Sequence, residues 1–279
     1  MTESKLPPQS VNPLGKSVDY VDSYSPQLLC SIDRRLSRNK LGIAEGELPF
    51  VGVDIWNAYE LSWLNHKGKP EVALAEFRFC CESEAIIESK SFKLYLNSLN
   101  QVRFDHSDQL RETLLKDLAE KAQGDVDLCL YSVEDDAAFA ISKLQGDCLD
   151  DLDISIDSYQ PDPELLSIDH STKVDEQLYS HLLRSLCPVT GQPDWGSIVI
   201  EYRGAKVNRE GLLKYLVGYR QHQEFHEQCV ERIFTDFMTC CGPDHLSVYA
   251  RYVRRGGLDI NPFRSTRGTE IVNARLLRQ

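Results

Sequence analysis

The chain has 279 residues, 42% of them hydrophobic and 27% charged, the balance of a soluble globular protein with one large domain or two of ordinary size. No apolar run approaches the roughly 18 residues that a membrane-spanning helix needs. A formal net charge of -12 argues against wrapping a nucleic-acid backbone, which takes clustered Lys and Arg.

The first segment, MTESKLPPQSVNPLGKS, is polar and Pro-containing, with no apolar signal-peptide core, and reads as a surface extension. VALAEFRFCCE (72–82) alternates small or apolar with charged residues, as a half-buried strand does. In IESKSFKLYLNS (87–98), Glu88-Ser89-Lys90-Ser91 precedes a helix-like stretch, so backbone donors, a hydroxyl and an ammonium can face an anion there. HSDQLRETLLKDLAEKAQ (106–123) puts Leu110, Leu114, Leu115, Leu118 and Ala122 on one helical face, with Ser107 as the expected N-cap. GDVDLCLYSV (124–133) is a strand after a Gly stop, and residues 146–169 begin strand-like and end as an acidic, Pro-broken linker.

The second half repeats this order. Val174, Leu178, Leu182 and Leu186 predict an amphipathic helix that ends at Cys187, followed by a Pro- and Gly-rich loop. GSIVIEYRGAKV (196–207) predicts a strand, 211–220 and 225–241 are helical in period, and 245–255 predicts a further strand. At an offset of 120 residues, Tyr95-Leu96 matches Tyr215-Leu216 and His106 matches His226, which points to a duplication of an α+β unit.

Four segments carry candidate chemistry. Cys187 lies seven residues before Asp194, close enough for a turn-rich loop to bring a proton-shuttling carboxyl to a nucleophilic thiol. Phe225, His226 and Glu227 together offer an aromatic face, an imidazole and a carboxylate to a flat heterocycle. The ESKS segment (88–91) and Arg254-Arg255-Gly256-Gly257 suit phosphate. Each also has a plain structural explanation: a buried thiol with a turn aspartate, a capped helix, a charged strand end. Nine cysteines without framework spacing are expected to be reduced cytosolic thiols. CxxC and HExxH are both missing, so no metal is expected, and no GxG triplet exists to make a Rossmann loop.

Taken together these segments resemble the QueF family, the NADPH-dependent 7-cyano-7-deazaguanine reductases of queuosine biosynthesis. Glu88-Ser89-Lys90-Ser91-Phe92-Lys93-Leu94-Tyr95 looks like the motif that sets the family apart from its relatives. CPVTGQPDWGS, FHEQC and RYVRRGGLDINPFRS match its other signatures in order and spacing, and DIWNAYELSWLN (54–65) extends the likeness over nearly the whole chain. The resemblance is to the long, two-domain subgroup. It implies two tandem tunnelling-fold domains with antiparallel sheets and helices on one face: 1–170 carrying the ESKS motif, and 171–279 carrying Cys187, Asp194 and the FHE and RRGG motifs.

The same resemblance implies roles. Cys187 would attack the nitrile to give a thioimide, and Asp194 would protonate its nitrogen. A first hydride then gives a tetrahedral thio-adduct, which collapses to an imine that a second NADPH reduces to the amine. Ile87, Glu88, Ser89, His226 and Glu227 would bind 7-cyano-7-deazaguanine, and Ser89, Lys90, Arg255 and Gly256 would hold NADPH. A cytoplasmic homodimer that touches neither membrane nor nucleic acid is expected. The competing readings are a hydrolase of the same fold or a Cys-dependent nitrilase, and a non-catalytic purine-binding duplicate.

Overall fold

The structure, a computed structural model, describes residues 21–279 except 45, 136–139, 269 and 270, so the N-terminal extension read from residues 1–17 lies outside the described residues. In chain order the first half contains β1 (Ser31–Asp33), α1 (Arg35–Arg38), β2 (Val51–Leu64), β3 (Pro70–Cys80), β4 (Ala85–Ile87), α2 (Ser89–Ser98), α3 (Ser107–Ala122), β5 (Val126–Tyr131) and β6 (Asp147–Cys148). The second half contains β7 (Ile168–Ser180), β8 (Arg184–Leu186), β9 (Pro193–Val207), α4 (Arg209–Gly218), α5 (His226–Cys241), β10 (His245–Tyr252) and β11 (Leu258–Ser265).

One sheet joins the two halves, in the order β5-β3-β2-β11-β10-β9-β7-β6, with β8 paired to β9. Its pairs are antiparallel except β6–β7. The join is β11 against β2, with Ile260 opposite Trp56. Because side chains alternate along a strand, one sheet face presents Trp56, Phe77, Ile198, Ile200, Leu246 and Val248 to the helices. Two helix-covered cores result. One packs Phe92, Tyr95, Leu110, Leu114 and Leu118 of α2 and α3; the other packs Leu212, Tyr215, Ile233, Phe234 and Phe237 of α4 and α5. A bulge between Ala58 and Leu61 shifts the register, so Leu61 and Trp63 reach the same core as Trp56. Among the described residues the opposite sheet face carries a small cluster around Ile55, Val199, Tyr249 and Phe263.

A buried ionic cluster clips the halves on the helix side. The Asp54 carboxylate accepts from Arg34 Nη2 at 2.6 Å and from Arg264 Nη1 at 2.7 Å, and Glu231 accepts from Arg264 Nη2 at 2.8 Å and Arg38 Nη2 at 2.7 Å. Burial of so many charges is sustained only because every carboxylate has bidentate or multiple partners.

Two sequence expectations are corrected. Residues 174–180 lie in strand β7 and 184–186 form strand β8, with a short bend between them, and no amphipathic helix is made there. The spacing of four that suggested a helix is also a multiple of the strand period of two, so it cannot separate the two forms. Pairing settles the matter, since Lys173 to Ser180 lie in register with β9. The cap of α3 is His106 rather than Ser107: His106 has extended backbone, and its Nδ1 accepts from the Gln109 N–H at 3.2 Å. The expected linker at 146–169 holds little regular structure beyond β6 and one turn of 3-10 helix at Pro163–Leu165.

Candidate active site

Strand β8 ends at Leu186, and the chain turns through 187–192 into β9. Two backbone bonds close this turn: Cys187 N–H to Gln192 C=O and Gly191 N–H to Cys187 C=O, both 2.9 Å. Ser185 and Asp194 are register partners, so Cys187 and Asp194 stand at the same end of one hairpin. The fold-back expected from the turn residues is therefore made by a β-hairpin rather than a helix end. Asp194 shares the helix-facing side of β9 with Ile198 and Ile200, and so meets the start of α5.

That start is Phe225, with His226 and Glu227 in the first turn. His226 Nε2 stands 3.4 Å from Asp194 Oδ2, and the imidazole stacks on the Tyr252 ring with centroids 3.7 Å apart and planes 5° apart. Gly196 makes this stack feasible, because a Cβ there would sit 3.2 Å from the Tyr252 ring. Behind this turn, Glu224 accepts two hydrogen bonds from Arg232, at 3.0 and 2.5 Å, and fixes the approach to α5.

Arg255 comes from the tight turn between β10 and β11. Arg255 and Leu258 exchange backbone bonds at 2.8 and 3.1 Å, and Gly256 and Gly257 take φ of 58° and 81°. Both central residues of such a turn need positive φ, which glycine adopts without a steric penalty. The Arg255 guanidinium donates to Asp194 Oδ1. Arg254 turns the other way and lies 5.0 Å over the Tyr59 ring, so the expected pair of guanidiniums reduces to one at the site.

The first half contributes the start of α2. Glu88 is its N-cap: Oε1 accepts from Lys90 N–H at 2.9 Å and Oε2 from Ser91 N–H at 2.7 Å. Strand β1 holds this corner through Ser31 opposite Ile87, and Cys30 C=O accepts from Glu88 N–H at 2.9 Å. The carboxylate is thus fixed in place while its remaining lone pairs stay available to a donor.

All of these groups surround one cavity of about 220 Å³ between the halves. Ile87, Glu88, Ser89, Lys90, Cys187, Asp194, Phe225, His226, Glu227, Arg255 and Gly256 line it, so the structure brings these residues singled out from the sequence to one place, while Ser91, Arg254 and Gly257 are not among its lining. It adds Lys93, paired with Glu60, along with Thr190 and an apolar wall in which Val253, Leu258 and Ile260 join Phe225. Lys93 stands one turn beyond Lys90 on the same helix side, a spacing the sequence does display. Tyr252 lies far from His226 in sequence, and no local pattern announces the stack.

The electrostatics separate the carboxylates. Burial would raise the Asp194 carboxyl, but the hydrogen bond and charge of His226, followed by those of Arg255, outweigh it and hold the group below its ordinary range. Burial dominates at Glu88 and raises it despite the two backbone donors. Glu227 is pushed from 4.5 up to about 7, first by burial and then by the nearby negative charge of Asp54.

Glu227 therefore binds its proton more tightly in the folded protein than in the unfolded one. Its favourable contribution is complete below pH 4.5 and is lost as pH rises through about 7. Between pH 5 and pH 8 this amounts to a loss on the order of 3 kcal/mol. Urea unfolding should show the ligand-free protein losing stability over that interval, and Glu227→Gln losing less by about that amount. Equal losses in both proteins would contradict the assignment.

The thiol, carboxylate and imidazole on one side of the cavity, with two capped or buried carboxylates and three cations around it, define an enzyme-like site for nucleophilic thiol chemistry on a small, flat, polar ligand. Residues 20–130 match the model of the nitrile reductase family described as 7-cyano-7-deazaguanine-reductase N-term, and residues 193–270 match that of the QueF-like proteins. A protein of Chromobacterium violaceum, named NADPH-dependent 7-cyano-7-deazaguanine reductase, is 55% identical over 254 residues, covering 91% of each chain. An Azoarcus protein of the same name is 52% identical over 265 residues, covering 95% of this chain and 94% of its own. A crystal structure of the archaeosine synthase QueF-Like in the apo form aligns with 35% of this chain and 96% of its own, at 18% identity and a TM-score of 0.31. The chain belongs to the QueF family of 7-cyano-7-deazaguanine reductases.

Proposed function

We propose that the chain reduces the nitrile of 7-cyano-7-deazaguanine to the aminomethyl group with NADPH, in queuosine biosynthesis, through a covalent thioimide on Cys187. The observation that carries this reading is the convergence of Cys187, Asp194, Glu88, Glu227 and three cationic side chains on one cavity. The family membership supports the reductase activity.

The residues fit the roles by their chemistry. The deazaguanine edge is rich in N–H donors, which matches the acceptors Glu88 and Glu227, with Ile87, Ser89, Phe225 and His226 beside them. Glu227 accepts such donors best as a carboxylate, so ligand binding at neutral pH releases its proton. Cys187 then adds to the nitrile carbon. The C–S bond forms, one C≡N π pair moves to nitrogen, and the thiol proton passes to the Asp194 carboxylate and from it to that nitrogen. The product is a neutral thioimide, whose C=N bond accepts hydride more readily than a nitrile does.

The cations test whether NADPH suits this site. Lys90, Lys93 and Arg255 line the same cavity as Cys187, and Arg255 stands on a backbone turn that leaves it 39% exposed. That set fits a cofactor with several phosphates, and it needs no Rossmann loop. With the α2 amides of Lys90 and Ser91 taken by Glu88, the side chains of Ser89, Lys90, Lys93 and Arg255 and the backbone of Gly256 are the groups left to hold it. When bound, NADPH supplies the hydride for each of the two reductions. Asp194 and His226 hold and return the protons that each reduction consumes at nitrogen.

The repeated strand–strand–helix–helix–strand order and the two helix-covered cores support reading the halves as two tandem tunnelling-fold domains, 1–170 and 171–279. Among the described residues strand β5 has one partner and leaves an open sheet edge, which supports closure by a second copy into a homodimer; light scattering of a monomer at working concentration would overturn that part. Nine free thiols suit a reducing cytoplasm, and a formal charge of -12 suits a protein that does not bind nucleic acid. Among the described residues no helix is long and apolar enough to cross a membrane, and no group of His, Cys, Asp and Glu could hold a metal ion.

Incubation with 7-cyano-7-deazaguanine should consume two NADPH per nitrile and yield the amine. Release of ammonia with no loss of NADPH would replace this reading by nitrile hydrolysis.

A further inference from the structure

The Asp194 carboxylate is 5% exposed and lies between two partners, the His226 imidazole on α5 and the Arg255 guanidinium on the β10–β11 turn. Cys187 lines the same cavity at the end of the hairpin, and Tyr252 of β10 stacks on His226. Arg255 is the reachable member of this group. One of its terminal nitrogens donates to Asp194; the other donates to Gln192 Oε1 at 2.8 Å and reaches Thr190 Oγ1 at 3.5 Å. A single guanidinium therefore ties two residues of the turn that carries Cys187, Thr190 and Gln192, to Asp194 at the start of β9.

These bonds use the two terminal nitrogens, which form the fork by which a guanidinium grips a carboxylate or a phosphate. An Asp194 carboxylate with Gln192, and a phosphate, cannot both occupy that fork fully. We propose that Arg255 is a positioning residue shared in competition between Asp194 and a phosphate group of the dinucleotide, so that cofactor binding frees Asp194 and loosens the turn that carries Cys187. This rests on the reading of Arg255 as a phosphate-facing residue.

The function follows from charge. With Arg255 in place, Asp194 is a poor proton acceptor, and the ligand-free protein keeps its hairpin pinned. Loss of the guanidinium to a phosphate makes Asp194 more basic, so it retains a proton for delivery to nitrogen when hydride is available. Coupling is reciprocal, so the Asp194 charge must in turn weaken phosphate binding.

The test is a four-protein cycle read by calorimetric titration with NADP⁺, which binds without transferring hydride. Arg255→Ala should weaken NADP⁺ roughly tenfold or more, as expected for a lost charge-assisted contact. Asp194→Asn should tighten NADP⁺ by roughly five- to tenfold, because its guanidinium is then free. In the Arg255→Ala background the same Asp194→Asn change should alter affinity by less than about twofold, the residue of direct charge removal. Equal tightening in both backgrounds, or none in either, overturns the competition while leaving Arg255 a cofactor ligand. Unchanged affinity in Arg255→Ala overturns the phosphate reading itself. Arg255→Lys keeps the charge without the fork, and completes the cycle if the alanine variant does not fold.

Discussion

Cys187→Ala should abolish reduction of 7-cyano-7-deazaguanine, with turnover falling by at least about 10⁴-fold, the scale of losing a covalent nucleophile. The ultraviolet absorbance of the thioimide should vanish with it. Nothing else around the cavity can replace the sulfur: the other lining groups are carboxylates, cations, an imidazole, hydroxyls and apolar side chains. The substitution removes one half-buried side chain at the end of a hairpin whose closure is made by backbone bonds, so folding and ligand binding should persist. Two outcomes are therefore separable. Binding of 7-cyano-7-deazaguanine without turnover supports the nucleophile. Full NADPH consumption by the variant would end the covalent mechanism.

Asp194→Asn should lower turnover by roughly 10²- to 10⁴-fold, the usual contribution of a positioned acid–base group. Asparagine preserves the shape of the side chain, but it carries neither the negative charge that holds Arg255 nor an exchangeable acid proton. The thioimide should form more slowly, because the route from the Cys187 thiol to the nitrile nitrogen is cut. Rapid-mixing absorbance separates that step from the later reductions. A variant that forms the adduct and turns over at the normal rate would remove Asp194 from the proton path and leave His226 as the remaining candidate near it.

The companion groups act at longer range. Glu231, one turn beyond Glu227 on α5, is clamped by Arg38 and Arg264, and Arg264 also clamps Asp54. This cluster holds the start of α5 against β2 and β11, and Asp54 in turn adds to the upward push on Glu227. The Glu227 carboxyl is thus tuned by charges that do not line the cavity.

Much of this was legible from local pattern. The helices α3 and α5 and the strands β3, β5, β9 and β10 follow from periodicity, because a single amphipathic face or an alternating strand states its own form. The offset of 120 residues is visible in the paired positions of α2 with α4, and Tyr95-Leu96 and Tyr215-Leu216 are buried in the two matching cores. Strand β7 was not legible, since residues spaced by four share a face in either conformation. The cap at His106 was hidden because capping depends on the backbone of the cap itself, which the residue type does not dictate.

The sequence by itself determined which side chains carry reactive groups, and that four short segments hold them. Cys187 and Asp194 were tied together by a loop short enough to fold back, and Glu88 was placed at a helix start. Only the tertiary structure decided that all of them line one cavity, because that depends on the β2–β11 join that lays α2 beside the turn before β9. It also decided which arginine matters. Arg254 and Arg255 are equivalent as letters, but alternation about a Gly-Gly turn sends one to the Tyr59 ring and the other to Asp194. A strand pattern fixes that neighbours point apart; which of the two sides holds the site is set by the packing of the whole sheet.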